Sequence, residues 1–162
     1  MATMPKIGRR DDAGFAETET MKAKDRSRVL LVDDYPDARE MYTEYLEFSG
    51  FDVVEAADGM EAVQRAVDEA PDIILMDLSL PVMDGWEATR RLKADERTAG
   101  IPVVAFTGHA LAGISDDARK AGCEAFVTKP CLPEDLVKEI RKVLDHSSNR
   151  APKRRRRNGK FA

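Results

Sequence analysis

Short apolar runs that stop at a polar residue recur along this chain, and segments with helical periodicity separate them. The clearest run covers residues 73–76, Ile-Ile-Leu-Met, and it ends at Asp77 before a turn that contains Pro81, Asp84 and Gly85. Four successive apolar residues bounded by turn residues indicate a strand that is buried on both faces, as strands of parallel sheets are. The run therefore predicts a strand of an α/β fold with an acidic residue at its carboxyl end.

The same alternation continues through residues 28–147. Five short apolar strands are expected, at residues 29–32, 51–55, 73–76, 103–106 and 123–127. A segment with helical periodicity follows each strand, and the fourth helix is expected at about residues 110–121. In the first helix, Met41 is one of the apolar positions and Gly50 marks the end. Alternating strands and helices with short connections predict a parallel sheet covered by helices on both faces.

Length and composition favour one globular domain in a reducing compartment. The 162 residues are enough for one proper core, and 43% of them are hydrophobic. No apolar run is long enough to cross a bilayer and no signal-peptide core is visible near Met1, so we expect a cytoplasmic protein. Cys123 and Cys131 are not spaced as a CxxC pair, and we expect both thiols to be reduced.

Charge divides the chain into an acidic body and a basic tail. Residues 28–149 contain 25 acids and 13 Lys/Arg, a net charge of −12, whereas residues 150–162 contain seven Lys/Arg and no acid. We expect a disordered leader at 1–27, an ordered domain at 28–147 and a disordered basic tail at 148–162. The tail could contact nucleic acid, an anionic membrane or an acidic partner, fold back onto the acidic domain, or only be solvated.

Polar residues follow four of the five predicted strands in a pattern that indicates phosphoryl chemistry. Asp33 and Asp34 follow the first strand, Asp77 the third, Thr107 the fourth and Lys129 the fifth. Carboxyl ends of parallel strands share one edge of the sheet, so three carboxylates converge there and repel one another unless a cation neutralises them. Mg²⁺ suits one or two carboxylates together with water and a phosphate oxygen. A cation, an ammonium, a hydroxyl and a carboxylate nucleophile are the groups that phosphoryl transfer onto Asp requires. Taken singly, the acids could instead be turn residues and helix caps, and the lysine a solvated side chain.

These residues, in register with the strand pattern, resemble the receiver domain of two-component response regulators. The resemblance covers about residues 28–147 and rests on Asp33, Asp34, Asp77, Thr107 and the pair Lys129 and Pro130. It implies a flavodoxin-like, doubly wound (βα)5 three-layer sandwich whose five-stranded parallel sheet has the order 2-1-3-4-5. It also implies a cis peptide bond between Lys129 and Pro130.

The resemblance assigns a role to each matched residue. Asp77 would be the phosphoacceptor. Mg²⁺ or Mn²⁺ would be held by Asp34, Asp77 and the backbone carbonyl of Ser79, with Asp33 acting through water. Thr107 and Lys129 would bind the phosphoryl group. Three further assignments follow from the resemblance: Phe126 would be a switch aromatic, and Ser79 and His109 would modulate dephosphorylation.

The resemblance further implies a signalling protein rather than an enzyme with a separate substrate. The phosphodonor would be a sensor histidine kinase or a histidine phosphotransfer protein, and the output would be phosphorylation-dependent binding to a protein that the sequence does not name. A homodimer through the face of the fourth helix, fifth strand and fifth helix is a further expectation. We expect no separate output domain after Ser147. The alternatives are a constitutive interaction module with the same fold, or nucleic-acid binding through the basic tail.

Overall fold

The structure is a computed structural model and describes residues 26–108 and 113–150. Strands and helices alternate along these residues, as the sequence predicts. The strands are β1 (Arg28–Val32), β2 (Asp52–Ala56), β3 (Ile73–Met76), β4 (Val103–Thr107) and β5 (Ala125–Thr128). The helices are α1 (Pro36–Phe48), α2 (Gly59–Glu69), α3 (Gly85–Ala94), α4 (Ile114–Ala121) and α5 (Pro133–Arg150).

The five strands form one sheet in the order β2-β1-β3-β4-β5. Every neighbouring pair is parallel, and the last residues of the three strands on one side are aligned, since Val32 pairs with both Ala56 and Met76. The order reverses between β1 and β3, which is the switch point where ligands bind in open α/β sheets. The predicted flavodoxin-like fold is therefore confirmed, and the residues that follow β1 and β3 emerge side by side.

Alternating side chains of the strands fill two separate cores. Leu30 and Ile74 point to the core beneath α2, α3 and α4, whereas their chain neighbours Leu31 and Leu75 point to the core beneath α1 and α5. All four residues of β3 are fully buried. A strand covered on both faces needs apolar side chains at every position, which is why the run at 73–76 is unbroken.

Helices begin at capping acids and end at glycines where the sequence predicts. The side chains of Asp58 and Asp84 accept hydrogen bonds from the backbone N–H groups of Glu61 and Glu87, so each acid caps the helix that follows it. Gly50, just past the end of α1, has a φ of 101° that non-glycine residues rarely adopt. These local signals fix where the helices begin and end, and so where the chain enters and leaves each strand.

Several boundaries and one core assignment differ from the sequence-based prediction. The fifth strand begins at Ala125 rather than at Cys123, because the Cys123 N–H donates to the Ala118 carbonyl and so completes the end of α4. Met41 is 45% exposed and does not belong to the core, although its spacing is helical. Helix α5 continues to Arg150, past the residue at which we expected the ordered domain to end.

Other expectations concern parts of the chain that the structure does not describe. Residues 1–25 of the predicted leader, residues 151–162 of the predicted tail and His109 lie outside the described residues. Within the described ranges, no helix has both the length and the apolar character needed to span a membrane. Both cysteines are present as thiols, with Cys123 buried and Cys131 partly exposed.

Gly85 provides a test of how tightly the loop after β3 is packed. A Cβ atom at this position would overlap the backbone carbonyl of Asp77, whereas a Cβ atom at Gly108 would meet nothing within 4 Å. Neither glycine has a positive φ. We expect Gly85→Ala to lower the free energy of unfolding by about 1–3 kcal/mol, which is typical of overpacking, and Gly108→Ala to change it little. Urea unfolding of the two variants checks this, and equal stabilities would contradict the close approach of α3 to Asp77.

Candidate functional site

Three carboxylates converge where β1 and β3 end. Asp33 and Asp34 follow β1, Asp77 follows β3, and one oxygen of each lies within 4.8 Å of the others. Two oxygens bound to one Mg²⁺ lie at most about 4.2 Å apart, twice the metal–oxygen bond length. A small contraction would therefore bring the three groups to the separation that a single hard cation requires.

The three acids differ in their exposure to solvent. Asp33 and Asp77 are buried, with 1% and 7% of their surface exposed, whereas Asp34 is exposed. The Asp33 carboxylate accepts hydrogen bonds from the backbone N–H of Tyr35 at 2.9 Å and from Lys129 Nζ at 2.6 Å. Both of its oxygens are thus engaged within the protein. Asp34, at the mouth of the cluster, can turn its carboxylate to an incoming cation.

Asp77 lies in an environment that resists ionisation. Burial raises the pKa of its carboxyl group above the ordinary value of 3.8, and the negative charge of Asp33 adds to this. The hydrogen bond from the Ser79 N–H to Oδ1, at 3.0 Å, and the charge of Lys129 act in the opposite direction. The ionised carboxylate is therefore poorly solvated, which favours its reaction with an electrophile or its neutralisation by a cation.

Lys129 brings a positive charge between the two buried acids. Its Nζ lies 2.6 Å from Asp33 Oδ2 and 3.4 Å from Asp77 Oδ2. Burial acts to lower the pKa of Lys129, but the hydrogen bond to Asp33 and the charges of both acids outweigh this and raise it, so the ammonium is protonated. The peptide bond between Lys129 and Pro130 is cis, as the resemblance implies. The lysine is therefore tied to this pocket through both its side chain and its backbone.

Thr107 and Ser79 occupy the positions that the sequence places near the acids. Thr107 is the last residue of β4 and is fully buried, and its carbonyl accepts a hydrogen bond of 2.8 Å from the Lys129 N–H. Ser79 is exposed, and its N–H binds Asp77. The structure thus brings both residues beside the cluster. Their roles toward a phosphoryl group or a cation stay predictions.

Phe126 lies on β5, the edge strand, which β4 separates from β3 and its acid. It is half-buried, pairs with Ala105 of β4 and packs against the core beneath α2, α3 and α4. Trp86 packs against the same core, as expected for a residue in the first turn of α3. The packing of Phe126 is compatible with a switch aromatic, and this role stays a prediction.

Two aromatic residues that sequence reasoning did not assign to the site support Lys129. The Nζ of Lys129 lies 5.0 Å from the centre of the Phe106 ring, a cation–π distance. The ring centres of Tyr42 and Phe106 lie 5.0 Å apart in an edge-to-face arrangement, and the Tyr42 hydroxyl donates to the Cys131 carbonyl at 3.0 Å. The sequence places Phe106 directly before Thr107 at the end of β4, so its position near the site could have been predicted. No sequence signal predicts its contact with Tyr42 of α1.

The comparisons with known proteins agree with this geometry. The family model for the response regulator receiver domain matches residues 29–141. The polar-differentiation response regulator DivK of Brucella ovis is 35% identical over 116 residues, covering 72% of this chain and 94% of that protein.

Solved receiver domains have the same fold. A CheY-like receiver domain protein from Methanospirillum hungatei is 31% identical with a TM-score of 0.72, and the match covers 78% of this chain and 99% of that one. The receiver domain of a sensor histidine kinase from Pseudomonas aeruginosa, solved with a magnesium ion in its active site cleft, is 33% identical with a TM-score of 0.69. That match covers 74% of this chain and 98% of the other. The chain belongs to the response regulator receiver domain family.

Proposed function

We propose that this receiver accepts a phosphoryl group on Asp77 from a phosphohistidine donor in a Mg²⁺-dependent reaction. The donor is a sensor histidine kinase or a histidine phosphotransfer protein. The phosphorylated form signals by binding another protein, and the domain promotes its own phosphorylation and dephosphorylation without turning over a separate substrate. The observation that carries this proposal is the convergence of Asp33, Asp34 and Asp77 around the ammonium of Lys129.

The chemistry is a transfer from nitrogen to oxygen. A carboxylate oxygen of Asp77 forms a bond to phosphorus while the bond between phosphorus and the donor imidazole nitrogen breaks. The electron pair of the broken bond stays on that nitrogen, and the imidazole leaves as a neutral group because its other ring nitrogen carries a proton taken from solvent. Such a transfer depends on positioning and charge neutralisation more than on covalent assistance from the protein. Burial of Asp77 helps, because few water molecules must be displaced from the nucleophile.

The residues present fit a hard divalent cation. All three candidate donors are carboxylates, and Asp34 is exposed at the mouth where a hydrated ion arrives. When bound, Mg²⁺ would neutralise the acids and the phosphoryl oxygens. The magnesium ion in the Pseudomonas aeruginosa receiver supports this assignment. By resemblance Asp34, Asp77 and the Ser79 carbonyl would be the ligands, and Asp33 would act through water.

After transfer, the residues beside Asp77 hold the product. Lys129 already lies 3.4 Å from Asp77 Oδ2 and needs only to leave Asp33 to pair with a phosphoryl oxygen. The hydroxyl of Thr107 would bind a second oxygen, and Phe126 would follow by repacking. The output partner, a homodimer through the α4–β5–α5 face and nucleic-acid binding through the tail stay predictions.

Asp77→Asn should abolish phosphorylation. An amide is not a nucleophile that can form an acyl phosphate, so we expect wild-type protein with Mg²⁺ to gain one phosphate from acetyl phosphate or a phosphohistidine protein, and the variant to gain none. Intact-protein mass spectrometry measures the added mass. Asp84→Asn is the matched control, because Asn also caps helices and this residue lies outside the cluster. Persistent labelling of the Asp77→Asn variant would overturn the assignment of the acceptor.

Asp34→Asn should weaken Mg²⁺ binding by at least about tenfold, because replacing even outer-shell groups costs metal sites 10–100-fold in affinity. Binding can be followed by calorimetry, and by the increase in Tm that a ligand of the folded state produces. Asp37→Asn, an exposed acid at the start of α1, is the control and should bind Mg²⁺ as the wild type does. Equal affinities for the two variants would exclude Asp34 as a ligand.

The pKa of Asp77 predicts a pH-dependent stability difference. Because the pKa is raised on folding, the folded state binds the proton more tightly, and ionised Asp77 lowers the free energy of unfolding. This reduction in the free energy of unfolding is complete when the pH is above the pKa of the folded state. It is absent when the pH is below the pKa of the unfolded state. We therefore expect Asp77→Asn to be more stable than wild type at pH 7 without Mg²⁺, and the difference to shrink as the pH falls toward 3.8. Thermal unfolding across this range tests it; a wild type that is the more stable at pH 7 would refute it.

A further inference from the structure

The solvent-exposed face of α1 carries a row of acids for which the described part of the chain provides no counter-charge. The acid row consists of Asp37, Glu40, Glu44 and Glu47, all exposed. Their spacing of three and four residues puts them on one side of the helix, where like charges destabilise it. Among the described residues none of the four forms a salt bridge. Arg39, the one cation in the sequence of α1, turns away to Glu55 at 2.8 Å.

Acids on other parts of the described surface commonly have a cationic partner. Glu87 of α3 lies 3.0 Å from Arg91, and Glu124 before β5 lies 3.0 Å from Lys93. The acid row differs from these in having four charges in succession and, within residues 26–108 and 113–150, no such partner. Its charge therefore makes this face of α1 suited to a cationic ligand.

An exposed apolar row lies beside the acids. Met41 is 45% exposed and Phe48 is 87% exposed, and the Phe48 ring lies 6.4 Å from the ring of half-buried Tyr45. These three residues recur at helical spacing next to the acid row. A ligand for the whole face must therefore offer several positive charges together with apolar groups.

We propose that residues 153–161 of this same chain bind along the exposed face of α1. Their sequence, Lys-Arg-Arg-Arg-Arg-Asn-Gly-Lys-Phe, provides six cations, no acid and one aromatic residue. The cations complement the acid row, and Phe161 complements the apolar row. The contact does not depend on the phosphoryl transfer proposed above.

The distances along the chain allow this contact. Arg141 of α5 donates to the Ser49 carbonyl at 3.0 Å, and its guanidinium lies 5.5 Å from the centre of the Phe51 ring, so α5 passes the end of α1 here. From Arg141 to Arg150 the helix rises about 14 Å. If residues 151–157 are extended, they span about 24 Å. That length covers the distance of about 14 Å back to the level of Ser49 and leaves about 10 Å to run along α1. At full extension, Arg157 would come to about the level of Tyr42, between Glu40 and Glu44.

A contact held by charge must depend on ionic strength. The screening length falls from about 10 Å at 0.1 M salt to about 3 Å at 1 M. Because the basic segment offsets repulsion within the acid row, removing its charge should also lower Tm at low salt and leave it unchanged at 1 M.

The test compares the full chain with a tail-neutralised variant, Lys153→Gln with Arg154→Gln, Arg155→Gln, Arg156→Gln and Arg157→Gln. Amide NMR spectra of both proteins are recorded at low salt and at 1 M salt. We expect chemical-shift differences concentrated in α1 at low salt, independent of protein concentration, and reduced to less than about half at 1 M. Absence of differences in α1 overturns the proposal. Differences that grow with concentration also overturn it, since they place the segment on a second copy.

A charge-reversal pair separates a defined contact from a general effect of net charge. Glu40→Lys with Glu44→Lys should remove the tail-dependent shifts in α1. Asp68→Lys with Glu96→Lys changes the net charge equally at exposed positions on the opposite side of the sheet, and should preserve them. Equal loss with both pairs would show only diffuse attraction and would refute binding to α1.

Discussion

The site depends on keeping two carboxylates buried next to each other at the end of a parallel sheet. Two unit charges 4 Å apart repel by about 4 kcal/mol at the effective dielectric constant of a protein surface, and each buried ion also loses several kcal/mol of hydration. Lys129 offsets part of this for Asp33 and Asp77, with its ammonium 2.6 Å from one and 3.4 Å from the other. Burial raises the pKa of Asp77, and the negative charge of Asp33 adds to this. The remaining excess of negative charge makes the pocket suited to a cation.

The sheet topology makes this arrangement possible. The order β2-β1-β3-β4-β5 sets β1 and β3 side by side, so Asp33 and Asp77 meet although they are far apart in sequence. Lys129 leaves the sheet at its edge and reaches inward over Phe106, which supports the side chain beneath the ammonium. Gly85 lets α3 begin directly against the Asp77 backbone. Each of these contributions comes from a different element, so the site requires the whole fold.

The sequence predicts most of the fold because local and global signals agree. Strands buried on both faces are apolar throughout, as residues 73–76 are, and Asp58 and Asp84 mark helix starts by capping chemistry. The location of Asp33 and Asp77 at one edge follows from parallel strand ends, and their adjacency follows from the strand order that the resemblance implies. Met41 was misassigned, because helical spacing identifies a helix but not the width of its buried face. The pairing of Lys129 with Asp33 was also missed, since the choice between two nearby acids depends on side-chain geometry that no pattern encodes.

Charge arithmetic at the pocket bears on how a phosphorylated form could be recognised. Asp33, Asp34, Asp77 and Lys129 together carry a formal charge of −2. A bound Mg²⁺ brings the sum to zero, and an acyl phosphate in place of the Asp77 carboxylate returns it to about −1, if the group carries close to two negative charges. The loaded pocket is thus less negative than the empty one, so a partner cannot rely on a large new negative field. Recognition of such a form would depend on local rearrangement instead. Lys129 is well placed to begin it, because its contact with Asp33 competes with any new contact at Asp77.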